Sequence, residues 1–374
     1  MKFIVSSSVL LEHLQAESRV INSKNALPIL DCFLFEVQDG TLSVSASDSE
    51  TSMVTTIEVK ECDENGRFAI SAKNLLDALK EIPDQPLALE INLETYEVQF
   101  HYQNGKFSLV GQNADVYPQV NQIGDNVMEL EMDAQMMLNG LNRTAFAAGS
   151  DELRPVMSGV FFDIKTDKIT LVASDGHILV RNEFFNANGK EDSSFILPRK
   201  PVSLLRNLLS KEENKVVVKY DERRIYFLLS DYQLFCRQIE GRYPNYNSVI
   251  PQNNPYKVIV DRQQLMGALR RVSVFTSQAS GLLKFTVKEN ELTVSGQDID
   301  FSTSAVESLS CQYTGSPMSI GFRSTYLIDI LNSILSNEVQ IELADPSRAG
   351  LIIPSEHEEN EDLLMLLMPM MLND

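Results

Sequence analysis

The sequence has few of the residues that build disulfide frameworks, metal sites and catalytic centres. Only four cysteines and four histidines occur among its 374 residues. The cysteines are widely separated and form no CxxC pair; they are Cys32, Cys62, Cys236 and Cys311. This scatter predicts neither a disulfide framework nor a zinc site. Because the sequence also shows no carboxylate cluster and no phosphate-binding loop, it favours a protein that is not an enzyme and has no metal or cofactor.

Long hydrophobic runs are lacking too. The longest apolar run, Leu363–Leu372, is shorter than the roughly 20 residues that a membrane-spanning helix needs, and it contains Pro369. After Met1 and Lys2, only Phe3–Val5 are apolar before serines follow, so no secretory signal is expected. These features predict a soluble, cytoplasmic protein with no membrane partner.

Positive charge is scarce as well. The 32 Lys and Arg residues are outnumbered by 52 Asp and Glu residues, and the net charge is −20. Affinity for nucleic acid comes mainly from neutralised phosphates, so this balance alone argues against nucleic-acid binding. An acidic surface that keeps the protein in solution is the simpler interpretation.

What the sequence does contain is one hairpin pattern used three times. Val160, Phe162 and Ile164 alternate with other residues, and a second alternating run follows a polar turn and ends at Asp175. The same apolar positions recur 127 residues earlier, up to Asp48, and 123 residues later, up to Asp298. Alternation of this kind predicts a β-hairpin, and a repeat of this length predicts three similar domains.

Each copy reads as a short strand, a helix and a hairpin, followed by a second strand, a second helix and two or three further strands. Ser6, Asp133 and Asp261 stand where the first helix of each copy needs an N-cap. The predicted fold class is therefore α+β, with three tandem domains that each consist of two β-α-β-rich halves. The predicted domain limits are 1–122, 123–252 and 253–374.

The positive charges are concentrated on the predicted helices. Those windows hold 13 basic and 7 acidic residues, whereas the remainder holds 19 basic and 45 acidic residues. The windows are 8–24, 71–82, 133–146, 199–211, 261–273 and 323–335. This concentration would place positive charge together on the helical faces of an acidic chain. The alternative is that Lys and Arg simply favour helix surfaces.

The neighbours Ser174, Asp175 and His177 raise the possibility of nucleophilic catalysis. Residues this close at one strand end cannot easily orient each other as a triad does. Asp48 and Asp298 occupy the equivalent positions without the histidine, so the repeated aspartate is better explained as a turn residue.

Several short segments of the sequence resemble those of one protein family. They are Ala173-Ser174-Asp175-Gly176-His177, Gly241-Arg242-Tyr243-Pro244-Asn245-Tyr246, Met368-Pro369-Met370-Met371-Leu372, Met1-Lys2-Phe3 and Leu27-Pro28-Ile29-Leu30. Together with the three copies, they resemble the β subunit family of bacterial DNA polymerase III, the sliding clamps. The resemblance implies a closed ring of two chains joined head to tail. It also implies that helices line the hole of this ring and sheets form its outside.

The resemblance further implies an apolar pocket for short peptides of partner proteins. The residues implied to form it are Met157, Ser174, Gly176, His177, Ile178, Leu179, Pro244, Ser248, Val249, Arg323, Tyr326, Met368, Pro369 and Met370. Exposed Met and aliphatic groups suit many partners because they adapt their shape. Ile178 and Met371 stand where many members carry arginine, and Ser280 where some carry a bulky aromatic, which implies a more apolar rim.

DNA contacts and the joint of the ring are implied in the same way. The residues implied to face DNA are Lys24, Lys73, Arg154, Arg199 and Lys200. Those implied at the joint are Lys106, Phe107, Ser108, Leu109, Val274, Phe275, Ser304 and Val306, with Lys106–Val110 and Phe301–Leu309 as edge strands. The implied partners are a second copy of the chain, double-stranded DNA, the α subunit of DNA polymerase III, the clamp loader and other proteins with a clamp-binding motif.

Two other functions remain open at this stage. One is a peptide-binding scaffold that uses the same repeats without DNA. The other is a hydrolase that uses His177.

Overall fold

The computed structural model describes residues 1–118 and 127–372. The predicted limit between the first two domains lies outside these residues. The described residues form two compact units: Met1–Leu138 with Lys200–Gln238 (unit 1), and Asn139–Arg199 with Ile239–Asp374 (unit 2).

Six α-helices occur in the described ranges, one at each predicted place. They are α1 (Ser7–Glu17), α2 (Ala72–Leu79), α3 (Ala134–Thr144), α4 (Arg199–Leu209), α5 (Arg262–Ser273) and α6 (Ser324–Ser333). The three predicted N-caps are confirmed, since the side chains of Ser6, Asp133 and Asp261 accept hydrogen bonds from the third backbone amide that follows. None of the described helices is long and apolar enough to cross a membrane.

The strands follow the repeat. The first copy contains β1 (Lys2–Ser6), β2 (Cys32–Gln38), β3 (Thr41–Ser47), β4 (Thr51–Glu58), β5 (Gly66–Ser71), β6 (Pro86–Ile91), β7 (Glu97–Tyr102) and β8 (Gly105–Val110). The second contains β9 (Met128–Asp133), β10 (Gly159–Ile164), β11 (Ile169–Ser174), β12 (Ile178–Phe184), β13 (Ser193–Pro198), β14 (Lys215–Tyr220), β15 (Arg224–Leu228) and β16 (Tyr232–Arg237). The third contains β17 (Tyr256–Asp261), β18 (Leu282–Lys288), β19 (Glu291–Asp298), β20 (Thr303–Gln312), β21 (Met318–Arg323), β22 (Glu338–Leu343), β23 (Gly350–Pro354) and β24 (Glu361–Leu367).

Unit 1 contains a four-stranded sheet, β1-β6-β7-β8, and an eight-stranded sheet, β5-β2-β3-β4-β16-β15-β14-β9. Unit 2 contains one twelve-stranded sheet, β13-β10-β11-β12-β24-β23-β22-β17-β20-β19-β18-β21. The strand pairs among the described residues are antiparallel, including β16 with β4 and β12 with β24. The apolar hairpin positions of all three copies are buried, apart from Gly296, which is half-buried, so the predicted period-2 pattern marks the core face.

The repeated aspartate is a turn residue, as the sequence predicts. One carboxylate oxygen of Asp48, Asp175 and Asp298 accepts hydrogen bonds from the backbone amides two and three residues later. This Asx turn reverses the chain at the end of β3, β11 and β19 in the same way.

Helix α1 is shorter than its predicted window. It ends at Glu17, and the amides of Arg19, Val20 and Ile21 then bond to the carbonyl three residues before each of them. The carbonyl of Val20 accepts a hydrogen bond from the Lys200 ammonium instead of continuing the helix. The turn after the helix is thus bonded to a residue 180 positions away.

Strand β20 is not a simple edge strand. It lies between β17 and β19 in the sheet. However, β17 pairs only with the last two residues of β20, at Ile259↔Gln312 and Val260↔Cys311. Among the described strands, none pairs with the outer side of Thr303–Ser310, so this part keeps an edge.

Candidate functional site

The turn that joins β11 to β12 organises the site in unit 2. The Ser174 hydroxyl is buried and donates to the Ile178 carbonyl at 2.7 Å, and it accepts from the Gly176 amide at 3.1 Å. Gly176 has φ +92°, a left-handed conformation that favours glycine. Because the Ser174 hydroxyl donates to the backbone and not to an imidazole, the turn lacks the geometry of a catalytic triad.

The last described residues of the chain run from this turn to strand β21. Strand β24 pairs with β12 at Ile178↔Leu367, and the next amide, that of Met368, donates to the His177 carbonyl at 2.8 Å. Two residues later, the Met370 amide donates to the Gly321 carbonyl at 2.8 Å. Met368 is therefore held by its backbone while its side chain stays exposed.

Two tyrosines anchor the segment that carries Pro244, Ser248 and Val249. The ring of Tyr243 stacks on Phe161 with 4.6 Å between centroids, and the Tyr246 hydroxyl donates to Oδ2 of Asp163 at 2.8 Å. Both tyrosines are buried, which raises the pKa of each hydroxyl above its ordinary value and keeps it neutral. The three residues that they carry remain exposed.

A continuous apolar cluster lies under these exposed groups. Its buried members include Leu179, Leu351 and Leu366, together with both anchoring tyrosines. Partly exposed side chains pack against it, among them Val156 and Leu364. Exposed Met, Pro and Val groups beside a desolvated aliphatic layer are suited to apolar side chains of a short peptide.

The structure corrects the expectation for Ile178. This residue is only 1% exposed because it pairs with Leu367 inside the sheet, so it does not make the rim apolar. Met371, the other residue that departs from the family pattern, is 81% exposed and does present an apolar group to solvent.

Tyr326 and Arg323 lie on the helix α6 side of the turn. The Tyr326 hydroxyl donates to Oδ2 of Asp175 at 2.6 Å, and the Arg323 guanidinium carbon lies 5.6 Å from the centre of the Tyr326 ring. Burial, with a smaller contribution from the hydrogen bond to Asp175, raises the pKa of Tyr326 to about 12. The hydroxyl therefore stays protonated and fixes the turn to helix α6.

Arg154 borders this same site. It lines an open cleft of about 230 Å³ together with Met157, Asp175 and His177. A Cβ at Gly176 would lie 2.7 Å from one Arg154 nitrogen, so Gly176 also gives the guanidinium room. Arg154 Nε forms an ion pair with Asp151 at 3.2 Å. The residue predicted to contact DNA thus stands next to the predicted peptide-binding residues.

The other predicted DNA contacts differ in their surroundings. Lys24, Lys73 and Arg199 are exposed. The Lys200 ammonium instead donates to the Val20 carbonyl, to Asn22 Oδ1 and to the Asp48 carboxylate. Since an ammonium has three donors, all of them are used inside unit 1, where they connect the turn after α1 to Asp48; the DNA contact of Lys200 stays a prediction.

The predicted joint residues carry exposed apolar surface on both units. In unit 1, β8 is the last strand of its sheet, and the half-buried Phe107 stacks on Phe100 with 4.5 Å between centroids. In unit 2, Val274 is 76% exposed, and Phe275 and Val306 are also exposed. The unpaired part of β20 carries Ser304 and Val306, both exposed.

Three contributors to the site are missing from the sequence prediction. They are Leu351 and Leu366, which form the floor, and Asp163, which holds Tyr246. The spacing of Tyr243 and Tyr246 indicates two buried side chains on the same side of a turn. No local pattern identifies the residues that they contact. Within the described residues, no group of three His, Cys, Asp or Glu side chains is placed to hold a metal ion.

Comparison with known proteins covers almost the whole chain. Family models of the DNA polymerase III β subunit match residues 1–121 (N-terminal domain), 131–245 (central domain) and 247–371 (C-terminal domain). The chain is 25% identical over 373 residues to the beta sliding clamp of Pseudomonas putida and 26% identical over 372 residues to that of Escherichia coli strain K12. Both alignments cover 100% of this chain and of the relative.

Solved structures agree with this result. A sliding clamp (DNA polymerase III subunit beta) from Bartonella birtlesii, bound to griselimycin, is similar at a TM-score of 0.93 and 28% identity. The DNA polymerase III β subunit of Thermotoga maritima is similar at a TM-score of 0.91 and 27% identity. Each comparison covers 100% of both chains. The chain therefore belongs to the DNA polymerase III β subunit family, the bacterial sliding clamps, which are non-catalytic processivity factors of DNA replication.

Proposed function

We propose that the site in unit 2 binds short peptide motifs of replication proteins, among them the α subunit of DNA polymerase III and the clamp loader. The observation that carries this proposal is the tail from Met368 to Met370, held at both ends by backbone hydrogen bonds beside a buried aliphatic layer. A peptide with a Gln and two later apolar residues, Leu and Phe in type, would bury its apolar side chains against Met368, Pro244 and Val249. Methionine side chains adapt to several partners because they are flexible and polarisable.

Deleting Met368 and all later residues tests this proposal. Affinity at such sites is concentrated in a few desolvated anchors, so we expect the peptide to lose about 2 kcal/mol or more of binding free energy. Calorimetry with the Gln-, Leu- and Phe-containing peptide measures this loss. The same oligomeric state and the same melting temperature in the intact and truncated proteins would exclude misfolding as the cause.

A pair of valine substitutions gives a matched control. Val249→Ser changes an exposed residue of the site, and Val116→Ser changes an exposed residue of unit 1. We expect only the first substitution to weaken peptide binding. Unchanged affinity in the truncated protein and in Val249→Ser would place the peptide elsewhere and refute the assignment.

We also propose that two chains form a closed ring in the cytoplasm. Strand β8 of one chain would pair with the unpaired part of β20 of the other, because unpaired strand edges seek partners. Val274, Phe275 and Val306 would supply the apolar contact, with Phe107 and Leu109 opposite them.

The ring would hold double-stranded DNA by enclosing it. The net charge of −20 opposes free binding, so affinity for linear duplex should be weak and strongly dependent on salt. Lys24, Lys73 and Arg199 would face the DNA, with Arg154 at the edge of the peptide site. Retention on circular or end-blocked duplex, after loading by a clamp loader with ATP, tests this mode. Tight binding of the isolated protein to short duplexes at physiological salt would contradict it, and failure to retain circles would favour a peptide-binding scaffold without DNA.

A further inference from the structure

Unit 1 contains a second cleft at the place that corresponds to the peptide site. Its volume is about 410 Å³, within the range of about 300 to 1,000 Å³ that is usual for ligand pockets. The cleft lies where the Ser47–Ser52 turn meets strands β15 and β16, and residues of all three line it. The residues of this cleft have no role in the functions proposed above.

The strand pairing establishes the correspondence residue by residue. Phe235 pairs with Ser52 in unit 1, as Leu366 pairs with Leu179 in unit 2. Tyr226 pairs with Phe235, as Leu351 pairs with Leu366. The two sites therefore have the same backbone frame.

The residue after this strand pair matches as well. The Arg237 amide donates to the Glu50 carbonyl at 3.0 Å, and in unit 2 the Met368 amide donates to the His177 carbonyl at 2.8 Å. Arg237 thus occupies the position of Met368, the exposed anchor proposed for the peptide.

The side chains in the second cleft differ in chemistry. The aliphatic floor is replaced by aromatic rings, with Tyr226 only 1% exposed and 5.1 Å from the half-buried ring of Phe235 in an edge-to-face arrangement. The charged side chains that line the cleft are Arg223, Arg224, Arg237 and Glu50; together with Asp221, the ion-pair partner of Arg224, they carry a net charge of +1 on a chain of net charge −20. Such a local excess attracts carboxylates.

The arrangement of two of these arginines strengthens the argument. Arg224 and Arg237 are direct partners across an antiparallel strand pair, where like charges repel each other. They form ion pairs with Asp221 and Glu50, at 3.6 Å each, and Arg224 also forms a side-chain hydrogen bond with Tyr226. A ligand carboxylate placed over both guanidinium groups would accept charge-assisted hydrogen bonds from their remaining N–H groups.

We propose that this cleft binds an acidic peptide segment of a partner protein, with carboxylates on the arginines and one aromatic side chain beside Phe235. The site would act independently of the peptide site in unit 2. It would give the chain two recognition sites of the same backbone geometry and opposite preference, one for apolar and one for acidic sequences.

The test uses the full chain and a fluorescein-labelled peptide, Asp-Glu-Phe-Asp-Asp-Glu, followed by fluorescence anisotropy. We expect saturable binding that weakens as salt rises, and no comparable binding of the neutral peptide Asn-Gln-Phe-Asn-Asn-Gln. The double variant Arg223→Ser/Arg237→Ser should lose affinity for the acidic peptide by about tenfold or more, since it removes charged hydrogen bonds. Equal melting temperatures would show that the double variant is folded.

Two control proteins separate the second cleft from the first site. Arg348→Ser changes the exposed unit 2 residue that corresponds to Arg223, and deletion from Met368 onward removes the tail of the peptide site. Both should bind the acidic peptide as the unchanged chain does. If the double serine variant melts early, Arg223→Lys/Arg237→Lys keeps the charge but loses the bidentate geometry, and it should bind with intermediate affinity.

Four results would overturn the proposal. The first is absence of saturable binding by the unchanged chain, and the second is a double arginine variant that binds the acidic peptide as tightly as the unchanged chain does. The third is loss of binding on deletion from Met368. The fourth is displacement of the peptide by a single-stranded oligonucleotide at equal concentration, which would make the cleft a nucleic-acid contact.

Discussion

The phenolic oxygen of Tyr326 lies 2.6 Å from Oδ2 of Asp175. The other carboxylate oxygen of Asp175 closes the turn that carries His177. One aspartate thus connects helix α6 to the turn beside the peptide site, and the position of His177 depends on both of its oxygens.

Tyr326→Phe removes only this connection. A hydrogen bond to a charged acceptor contributes about 1.5 to 3 kcal/mol, so we expect a loss of this size in the free energy of unfolding. Peptide affinity should fall several-fold because the turn becomes less fixed. Denaturant unfolding and calorimetry measure the two effects.

Tyr313→Phe serves as the control for this substitution. The Tyr313 hydroxyl donates to the Ser316 carbonyl, also at 2.6 Å, away from the site. It should lower stability without changing peptide affinity. If the two variants bind the peptide equally, the Asp175–Tyr326 bond has no role in positioning the site.

Phe275→Asp should open the ring. The substitution would place an uncompensated charge in the proposed apolar joint, which is strongly unfavourable. We expect the mass in solution to fall from about 84 kDa, twice the chain mass of 42.0 kDa, toward that of one chain at micromolar concentration. Light scattering after size exclusion measures it. Leu153→Asp, at another exposed apolar position, should stay dimeric, and a Phe275→Asp protein that remains dimeric on dilution would exclude Phe275 from the joint.

Neighbouring basic residues should separate DNA contact from stability. Lys200→Ser leaves the buried Asp48 carboxylate without its ion pair and should lower the free energy of unfolding by roughly 2 kcal/mol. Arg199→Ser should leave stability unchanged and reduce the salt dependence of retention on nicked circular DNA by about one phosphate contact. Thermal unfolding and release rates at several salt concentrations distinguish the two. If Lys200→Ser instead reduced the salt dependence and left stability unchanged, Lys200 would be a DNA contact.

Glu17→Gln should change how stability depends on pH. Glu17 is fully buried, and burial raises its pKa well above the ordinary value of 4.5, against a smaller opposing effect of the Thr55 backbone. The folded chain therefore keeps a proton that the unfolded chain releases from about pH 4.5 upward, so ionisation of the unfolded chain lowers stability as pH rises toward the folded pKa.

Glutamine cannot ionise, so the variant should lack this decline. As pH rises from about 4.5 toward the folded pKa, the free energy of unfolding of the variant should increase relative to that of the unchanged chain by up to about 1.4 kcal/mol per pH unit. The exposed substitution Glu94→Gln provides the comparison. Parallel pH profiles for all three proteins would mean that Glu17 titrates normally.

The three-domain α+β fold could be predicted from the sequence because its signals are local and repeated, and the family models confirm it. The alternating hairpin residues and the caps at Ser6, Asp133 and Asp261 depend on near neighbours only. The absence of catalysis is likewise confirmed by the family. The exact domain limits and the roles of the individual site residues stay predictions.

The differences from prediction have one physical cause, which is pairing with distant parts of the chain. Helix α1 ends at Glu17, and the turn that follows it is held by Lys200 through the Val20 carbonyl. Ile178 is buried because Leu367 pairs with it. No local pattern reports contacts between residues so far apart.

The strands of the second copy are divided between two sheets, and this limits its independence as a folding block. Strands β9 and β14–β16 belong to the eight-stranded sheet, whereas β10–β13 belong to the twelve-stranded sheet. Cut from the chain, this middle repeat would lose β4 beside β16 and β24 beside β12. Strands β12 and β16 would then each have an unpaired edge that faces solvent and can pair with other molecules. The central repeat therefore shares a sheet with each of its neighbours, and we expect that it does not fold when it is cut from the chain.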